Sequence, residues 1–355
     1  MLRLQTISEP ALWNRLASSL PITSALQSWG WGEVKRLSGW EPERIALYEG
    51  APTGRSSDAA NLDGETLVAA AQLFRRRLAG PVSMLYASRG PALRDLSDLP
   101  RVAEALKAQS GGAVYLKLEP EAGLDAEAPP PEFPGMTIEE TIQPEYTVWL
   151  DLTLGREGLL GAMDNMHRRN TKLAEKRVVT TIEGEEAFEQ FWTLFEETNQ
   201  RAKLLQHSKT YYQTVLREMN QPEGKAFISI ARLEGQPLAA GLFVAFGGKV
   251  DYLYGGSSKE NSNAKAPNGM HWGAINWGLQ NGCRIYDLWG VPRLSEGSHA
   301  AGIDKFKEGF GGRRVRFPAY DLALSPMYGV VTKALRLRKN WVNYRTRGTT
   351  RDVLS

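Results

Sequence analysis

Phe306 and Lys307 stand just ahead of Gly309 and the pair Gly311-Gly312. An ammonium beside an aromatic ring, near glycines that let backbone come close, suits the stabilisation of charge developing on a carbonyl oxygen during acyl transfer. The same letters also describe a helix-end lysine complementing the helix dipole before a glycine cap, and residue types alone leave both readings open. A second group suits phosphates. Arg201 offers a bidentate fork and Lys35 a point charge. The plain alternative for Lys35 is a helix-end surface charge. A third group, Arg168, Arg169 and Lys172 with Lys176 and Arg177, makes the later half of an expected helix over 159–177 basic. Such a face binds a nucleic-acid backbone or is simply solvated. Asp95 and Asp98, after a Gly-Pro turn, read as turn aspartates.

Several chemistries find no support. His167, His207, His271 and His299 lack metal-ligand spacing, and Cys283 has no second cysteine for a disulfide or a zinc cluster. Ser257 lacks a Gly-x-Ser-x-Gly elbow, and neither glycine pair continues into the Gly-Lys-Ser/Thr of a phosphate loop. No cofactor and no metal are therefore expected. The net charge of +3 is small but unevenly spread, with 119–145 acidic and proline-rich, and 167–177 and 333–351 strongly basic. Trp341 and Tyr344 among Lys339, Arg345 and Arg347 would suit contact with an anionic membrane face, or form a solvated tail. No apolar run reaches membrane-spanning length and the first residues lack a signal-peptide pattern, so a cytoplasmic protein is expected.

These groups must be positioned by a chain of 355 residues, long enough for two domains. Apolar periodicity predicts helices over 11–19, 24–35 and DLPRVAEALKAQSG, and strands at ERIALYEG, ETLVAAAQLFRRR, GPVSMLYA and AVYLKLEP. The prolines of 129–134 make a loop at the domain edge. Beyond it the pattern predicts the strand TVWLDLT, one long helix over 156–177, the strand VVTTIEG and helices at 185–204 and 208–220. Three strands joined by the turns EGQP and FGGK follow, then a helix at NGMHWGAINWGLQNG, the strand RIYDLWG, a helix at AAGIDKFKEGFGG, and one final strand RRVRFPAYDLAL. The fold class is α+β, with mixed sheets flanked by helices. On the long helix, Leu159, Leu160, Met163 and Met166 are expected on one buried face.

The closing third contains, in order, Tyr254-Gly-Gly-Ser-Ser258, Ala266-Pro-Asn-Gly-Met-His-Trp272, Ala274-Ile-Asn-Trp277, Gly282, Tyr286-Asp-Leu-Trp-Gly290, Gly302, Phe306-Lys307 and Gly309-Phe-Gly-Gly312. Earlier stand Gln27-Ser-Trp29, Glu33-Val-Lys35, Tyr86, Arg89-Gly-Pro91, Leu116-Lys-Leu-Glu-Pro120, Met166, Arg168-Arg-Asn170, Lys172 and Glu197-Thr-Asn-Gln-Arg201. This ordered series, over roughly 20–320, resembles the FemABX family of peptidoglycan bridge aminoacyltransferases. The resemblance implies two acyltransferase-like (GNAT-like) domains, one of 1–147 plus a returning 318–355, the other of 148–317. It implies transfer of an amino acid from aminoacyl-tRNA to the side-chain amine of the stem peptide of a peptidoglycan precursor, UDP-linked or lipid-linked, by a monomer. It also places Lys307 and Phe306 at the reaction centre, Lys35 and Arg201 at the acceptor's phosphates, and Tyr86 and Tyr254 along the same cleft. Arg168, Arg169 and Lys172 become candidates for tRNA phosphates. Many members carry a coiled-coil arm in the second domain; here 178–250 leave no space for one, as in compact members. The competing readings are an acyl-CoA-dependent N-acyltransferase, whose pyrophosphate-binding turn is missing from the letters, and a non-catalytic tRNA- or precursor-binding module.

Overall fold

Ala69, Ala70 and Ala71 favour a helix by intrinsic propensity, yet they lie fully buried in the 14-residue strand Thr66–Ala79. Both faces of that strand are covered, and small residues let the covering layers approach. Burial overrides propensity here. The computed structural model describes residues 2–50, 65–202, 206–292 and 300–347. In chain order they form strand β1 (Arg3–Thr6), helices α1 (Pro10–Ser19) and α2 (Trp29–Arg36), strands β2 (Glu41–Glu49), β3 (Thr66–Ala79), β4 (Val82–Ala87) and β5 (Ala92–Leu93), helix α3 (Leu99–Leu106), and strands β6 (Tyr115–Leu118), β7 (Leu124–Asp125), β8 (Met136–Glu139) and β9 (Tyr146–Asp151). Helices α4 (Gly155–Ala162) and α5 (Asn165–Arg177) follow, then β10 (Val179–Glu183), α6 (Phe188–Ala202), α7 (Lys209–Glu218), β11 (Gly224–Leu233), β12 (Gln236–Phe246) and β13 (Lys249–Ser257). The chain continues with α8 (Ala266–Gln280), β14 (Ile285–Asp287), α9 (Ala300–Glu308), β15 (Arg313–Arg316), β16 (Ala319–Ala323) and α10 (Tyr328–Arg347).

Two mixed sheets result. The first runs β1-β2-β3-β4-β6-β16-β8, with β5 also paired to β3; the second runs β10-β11-β12-β13-β14-β9-β15-β7. The chain is stitched between them. β7 pairs in the second sheet although it precedes residue 147, β8 returns to the first, β9 and β15 belong to the second, and β16 closes on β6 of the first. Lys117 of β6, inside the Leu116–Pro120 motif, pairs with Asp321 of β16 at 2.7 Å, and both are buried.

The layers follow from which face each strand buries. Between the sheets lies a shared core built by α1, α2, α6 and α7, with Phe74 and Tyr86 entering from the first sheet and Leu242 and Phe246 from the second. The outer face of the first sheet packs on α3, and that of the second on α4, α5 and α8 with Phe306 of α9. The described part of 178–250 is consumed by strands and helices docked in these layers.

Several expectations need correction. The helix expected over 24–35 is a single 3₁₀ turn, Ala25–Gln27, followed by α2, because Ser28 is extended and its hydroxyl caps α2 by accepting from Trp31 N at 3.3 Å. The helix expected over 156–177 is two helices, because Met163 leaves helical geometry and Asp164 caps the second, its carboxylate accepting from His167 N at 2.7 Å. Leu159, Leu160 and Met163 are buried, but Met166 lies beyond the break and is 44% exposed. The single closing strand is two strands in different sheets, divided at Pro318, where the missing N–H ends one ladder. Finally, the basic tail is helical as far as Arg347.

Candidate active site

β13 is the strand on which both candidate groups converge. It pairs in parallel with β14 only through Lys249–Asp251 opposite Ile285–Asp287. After Asp287 the chain stays with β9, Leu288 N donating to Val148 O at 3.0 Å and Val291 N to Tyr146 O at 2.9 Å. The two strands therefore splay, and residues 252–257 of β13 form one wall of the opening. Trp289, at φ 58°, turns its own carbonyl and that of Gly290 toward the last turn of α9. Lys307 Nζ donates to those carbonyls at 2.9 and 2.7 Å, and its third N–H has no partner among the described residues. The ring of Tyr252 lies 5.9 Å from the ammonium. Burial lowers Lys307 to about 8, against the pull of Asp287 and Asp304. A cation held by neutral carbonyls, with a spare donor in an opening, can stabilise an oxyanion.

Phe306 does not enter the opening as a free face. Its ring packs against His167 at 5.4 Å, His271 at 5.7 Å and Phe310 at 5.4 Å. His271 Nδ1 lies 2.6 Å from the Tyr286 hydroxyl, and burial, then Lys307 and His167, push the ring down to about 3, so it is neutral near pH 7. His167 Nδ1 faces Asp164 Oδ2 at 3.1 Å, while its buried Nε2 has no partner among the described residues. A Cβ on Gly309 would lie 2.1 Å from the His167 ring, so this motif glycine makes room for the imidazole.

Lys35 lies across β13, in the shared core. It leaves the last turn of α2 with Nζ 4.9 Å over the Trp31 ring and 6.0 Å over that of Tyr211. Among the described contacts it has no carboxylate; burial, with Arg76 nearby, lowers it to about 8. Glu33 of the same motif is taken by Arg36 and Arg44. Tyr254 joins Lys35 indirectly: its ring meets Tyr212 at 4.8 Å, and Tyr212 meets Tyr211 at 5.5 Å. His207 stacks on Tyr211 at 4.0 Å. A bulge opposite Leu242/Phe243 turns Tyr254 toward this core while Tyr252 faces the Lys307 side. The adjacent glycines are spatial necessities, because a Cβ on Gly255 would meet the Tyr252 hydroxyl at 2.2 Å and one on Gly256 the Leu194 carbonyl oxygen at 2.2 Å. Tyr252 and Tyr254 are about 7 Å apart along the strand, so one strand separates the two cationic groups.

The other candidates fall elsewhere. Tyr86 is buried, its hydroxyl donating to Glu119 at 2.5 Å, which commits it within the fold; it meets this cluster through Trp40, whose ring lies 6.0 Å away and under Arg76. Arg201, at the end of α6, is exposed and donates to the Ser257 carbonyl at 3.0 Å and Thr198 Oγ1 at 3.2 Å, and no described contact joins it to Lys35. On α5, Arg169 and Lys172 are exposed, whereas Arg168 is half-buried and bonds the Met163 carbonyl at 3.1 Å. Asp95 accepts from Ser97 N at 2.8 Å, and Asp98 pairs with Arg101 at 2.6 Å, as turn aspartates do. His299 and the side chains of Tyr344, Arg345 and Arg347 lie outside the described residues.

Sequence reasoning had left Tyr211, His207, Tyr252, His167 and His271 out of the site. A Tyr-Tyr pair opening an amphipathic helix, and histidines placed without metal spacing, carry no local signal. Only the packing of α7 on α2, the pairing of β12 with β13 and the packing of α5 on α8 bring them in. Three buried carboxylates also converge, Glu121, Asp251 and Asp287. Their counter-charges are Lys249, which pairs with Glu121 and lies 3.2 Å from Asp251, and the buried Arg89, 3.9 Å from Glu121. Asp287 is in turn bonded by Thr147, by Trp149 Nε1 at 2.8 Å and by Trp289 N at 2.7 Å, so it fixes the residue whose carbonyl holds Lys307.

With this geometry in hand, comparison with known proteins is informative. The chain is 25% identical over 301 residues to a UDP-N-acetylmuramoylpentapeptide-lysine N(6)-alanyltransferase of Weissella viridescens, covering 78% of this chain and 82% of that protein. It is 24% identical over 236 residues to a lipid II:glycine glycyltransferase of Staphylococcus haemolyticus, covering 61% of this chain and about half, 52%, of the relative's length. The crystal structure of FemX superposes with a TM-score of 0.75 at 19% identity, over 93% of this chain and 99% of the other, which establishes a common fold. The FemAB family profile matches residues 132–235 and 218–334. That span holds β13, β14, α9 and the lysine between them, and it is more than half of the sequence: the chain belongs to the FemAB family.

Proposed function

We propose that the protein is an aminoacyl-tRNA-dependent aminoacyltransferase of peptidoglycan bridge synthesis. An amine nitrogen on the acceptor's stem peptide attacks the ester carbonyl of the charged tRNA. The C–N bond forms, the ester C–O bond breaks, and the tRNA ribose oxygen leaves with a proton that the attacking amine gives up. Lys307, with Phe306 packed beside it, stabilises the oxyanion of the tetrahedral intermediate through its spare N–H. Lys35 takes a phosphate of the precursor's nucleotide or lipid carrier, and Tyr254 shapes the same wall. Arg201 reaches the acceptor from the far end of β13, and Tyr86 acts behind Trp40 rather than on the substrate. The observation that carries this reading is the half-buried Lys307 ammonium at the β13–β14 splay, lowered to about 8 and held by two carbonyls rather than a carboxylate. The precursor as acceptor is supported by the substrates that the relatives' names give.

The test supplies purified protein with individually charged tRNAs, one labelled amino acid at a time, and purified UDP-linked or lipid-linked precursor, in EDTA and without ATP. Label is expected on the stem peptide. A strict need for free amino acid and ATP would overturn the reading, and transfer from acyl-CoA alone would assign the competing acyltransferase activity.

A further inference from the structure

Helix α10 has two working faces. One docks it on the body. The Tyr328 hydroxyl donates to Asp321 at 3.1 Å, its ring meets Tyr115 at 5.7 Å, and Val331 packs on the shared core. Further along, Arg336 pairs with Glu139 at 2.5 Å and Lys339 with Glu140 at 2.9 Å. The opposite face carries Val330, Ala334, Leu337 and Trp341, spaced i, i+4, i+7 and i+11, which places them on one stripe. Val330, Leu337 and Trp341 are 69%, 62% and 56% exposed, and Ala334 is exposed as well. Lys333 and Arg338, both exposed, flank this stripe on its two sides. The helix contains no Asp or Glu.

We infer that this face of α10 seats the protein on an anionic lipid surface. An apolar stripe with a tryptophan, rimmed by cations on both sides, matches a helix that lies in the plane of a bilayer interface. At about 30 Å long, α10 gives a contact line rather than a single point. A second copy of the chain fits less well, because two such stripes face to face bring Lys333 and Arg338 against identical cations with no carboxylate on either helix. Anionic headgroups neutralise the same charges. No helix among the described residues is long and apolar enough to cross a membrane, so contact along the surface is the mode that remains for α10. Lys339, counted with the tail's cations in the sequence, is spent on docking; the lipid-facing cations are Lys333 and Arg338. The inference is independent of the aminoacyl-transfer reading.

The test is co-sedimentation of the full chain with phosphatidylcholine vesicles containing about one-third phosphatidylglycerol, and with pure phosphatidylcholine. Binding is expected to the anionic vesicles only, and to weaken with salt. Lys333→Gln with Arg338→Gln should lower the partition coefficient about 25-fold, about fivefold for each cation. Leu337→Ser with Trp341→Ser should lower it tenfold or more, about the effect of withdrawing one large apolar side chain. Because these residues are exposed, circular dichroism should be unchanged in all variants. Brominated lipid should quench the parent's fluorescence more than that of Trp341→Phe. Failure of the parent to bind, equal binding to both vesicle types, or quenching unaffected by Trp341→Phe overturns the inference. So does a dimer in light scattering that Leu337→Ser converts to monomer, which assigns the stripe to a second copy.

Discussion

At the scale of the residue, two lysines share an unusual state: half-buried, without a carboxylate in contact, and lowered to about 8 by burial. Their assigned tasks differ, and kinetics separate them. In the proposed mechanism Lys307 acts on charge that exists only in the transition state, a contribution of about 3 kcal/mol. Lys307→Met should therefore slow turnover about a hundredfold or more and leave the acceptor's KM nearly unchanged. Turnover within a few-fold of the parent, in protein whose circular dichroism is intact, would make Lys307 a structural residue. Lys35 should act in binding, and its share of the pH dependence can be isolated. kcat/KM for the acceptor reports the free enzyme and the free acceptor: loss of both lysine ammoniums above about 8 contributes about −2 to the log–log slope and deprotonation of the attacking amine about +1 below its own pKa, so the profile should fall with a slope of about −1. In Lys35→Met that slope should flatten to about 0, and an unchanged slope would remove Lys35 from the binding site. Stability moves the other way. Each lysine is lowered on folding, so its buried charge costs stability below about 8, and that cost is relieved as pH rises from there toward the unfolded value of 10.5.

At the scale of the element, the site depends on a strand with one residue too many. The bulge at Leu253 lets Tyr252 serve one side of the second sheet and Tyr254 the other, and Gly256 admits α6 against the strand. Gly256→Ala should destabilise the protein by about 1–3 kcal/mol, since the intruding methyl meets helix backbone that cannot rotate away. Urea denaturation gives the measurement, and a change below about 0.5 kcal/mol would show that α6 yields. Much of this element structure was legible. The runs that became β11, β12 and β13 are apolar and end in Glu-Gly and Gly-Gly turns, whereas the neighbours of Lys307 left it open between a helix-end charge and a reaction-centre cation, and the resemblance chose. The break at Asp164 was not, because an aspartate inside a periodic run announces a cap only when the preceding residue is seen to leave helical geometry. Nor was the cluster of Lys35 with Tyr211 and His207, some 170 residues distant in the chain. The resemblance supplied Tyr86 and Arg201, and the structure gives both internal partners that no sequence reading could have anticipated.

At the scale of the whole molecule, the basic face of α5 is the surface suited to a large polyanion. With Arg168 partly engaged by the Met163 carbonyl, Arg169 and Lys172 are the freer cations. Replacing all three by alanine should weaken tRNA binding and reduce its salt dependence by about two counterions, read as the slope of log affinity against log salt. An unaltered slope would make α5 ordinary surface. The stitching of the two sheets has a consequence of another kind. β6 finds its neighbour β16 some two hundred residues later, so the first sheet stays unfinished until residues 319–323 have left the ribosome. Throughout that interval the Tyr115–Leu118 edge offers unpaired N–H and C=O groups and a buried-to-be lysine to whatever strand comes near. Vectorial synthesis therefore leaves this protein with an open seam that β16 must close, and the nascent chain is vulnerable to mispairing there until β16 emerges.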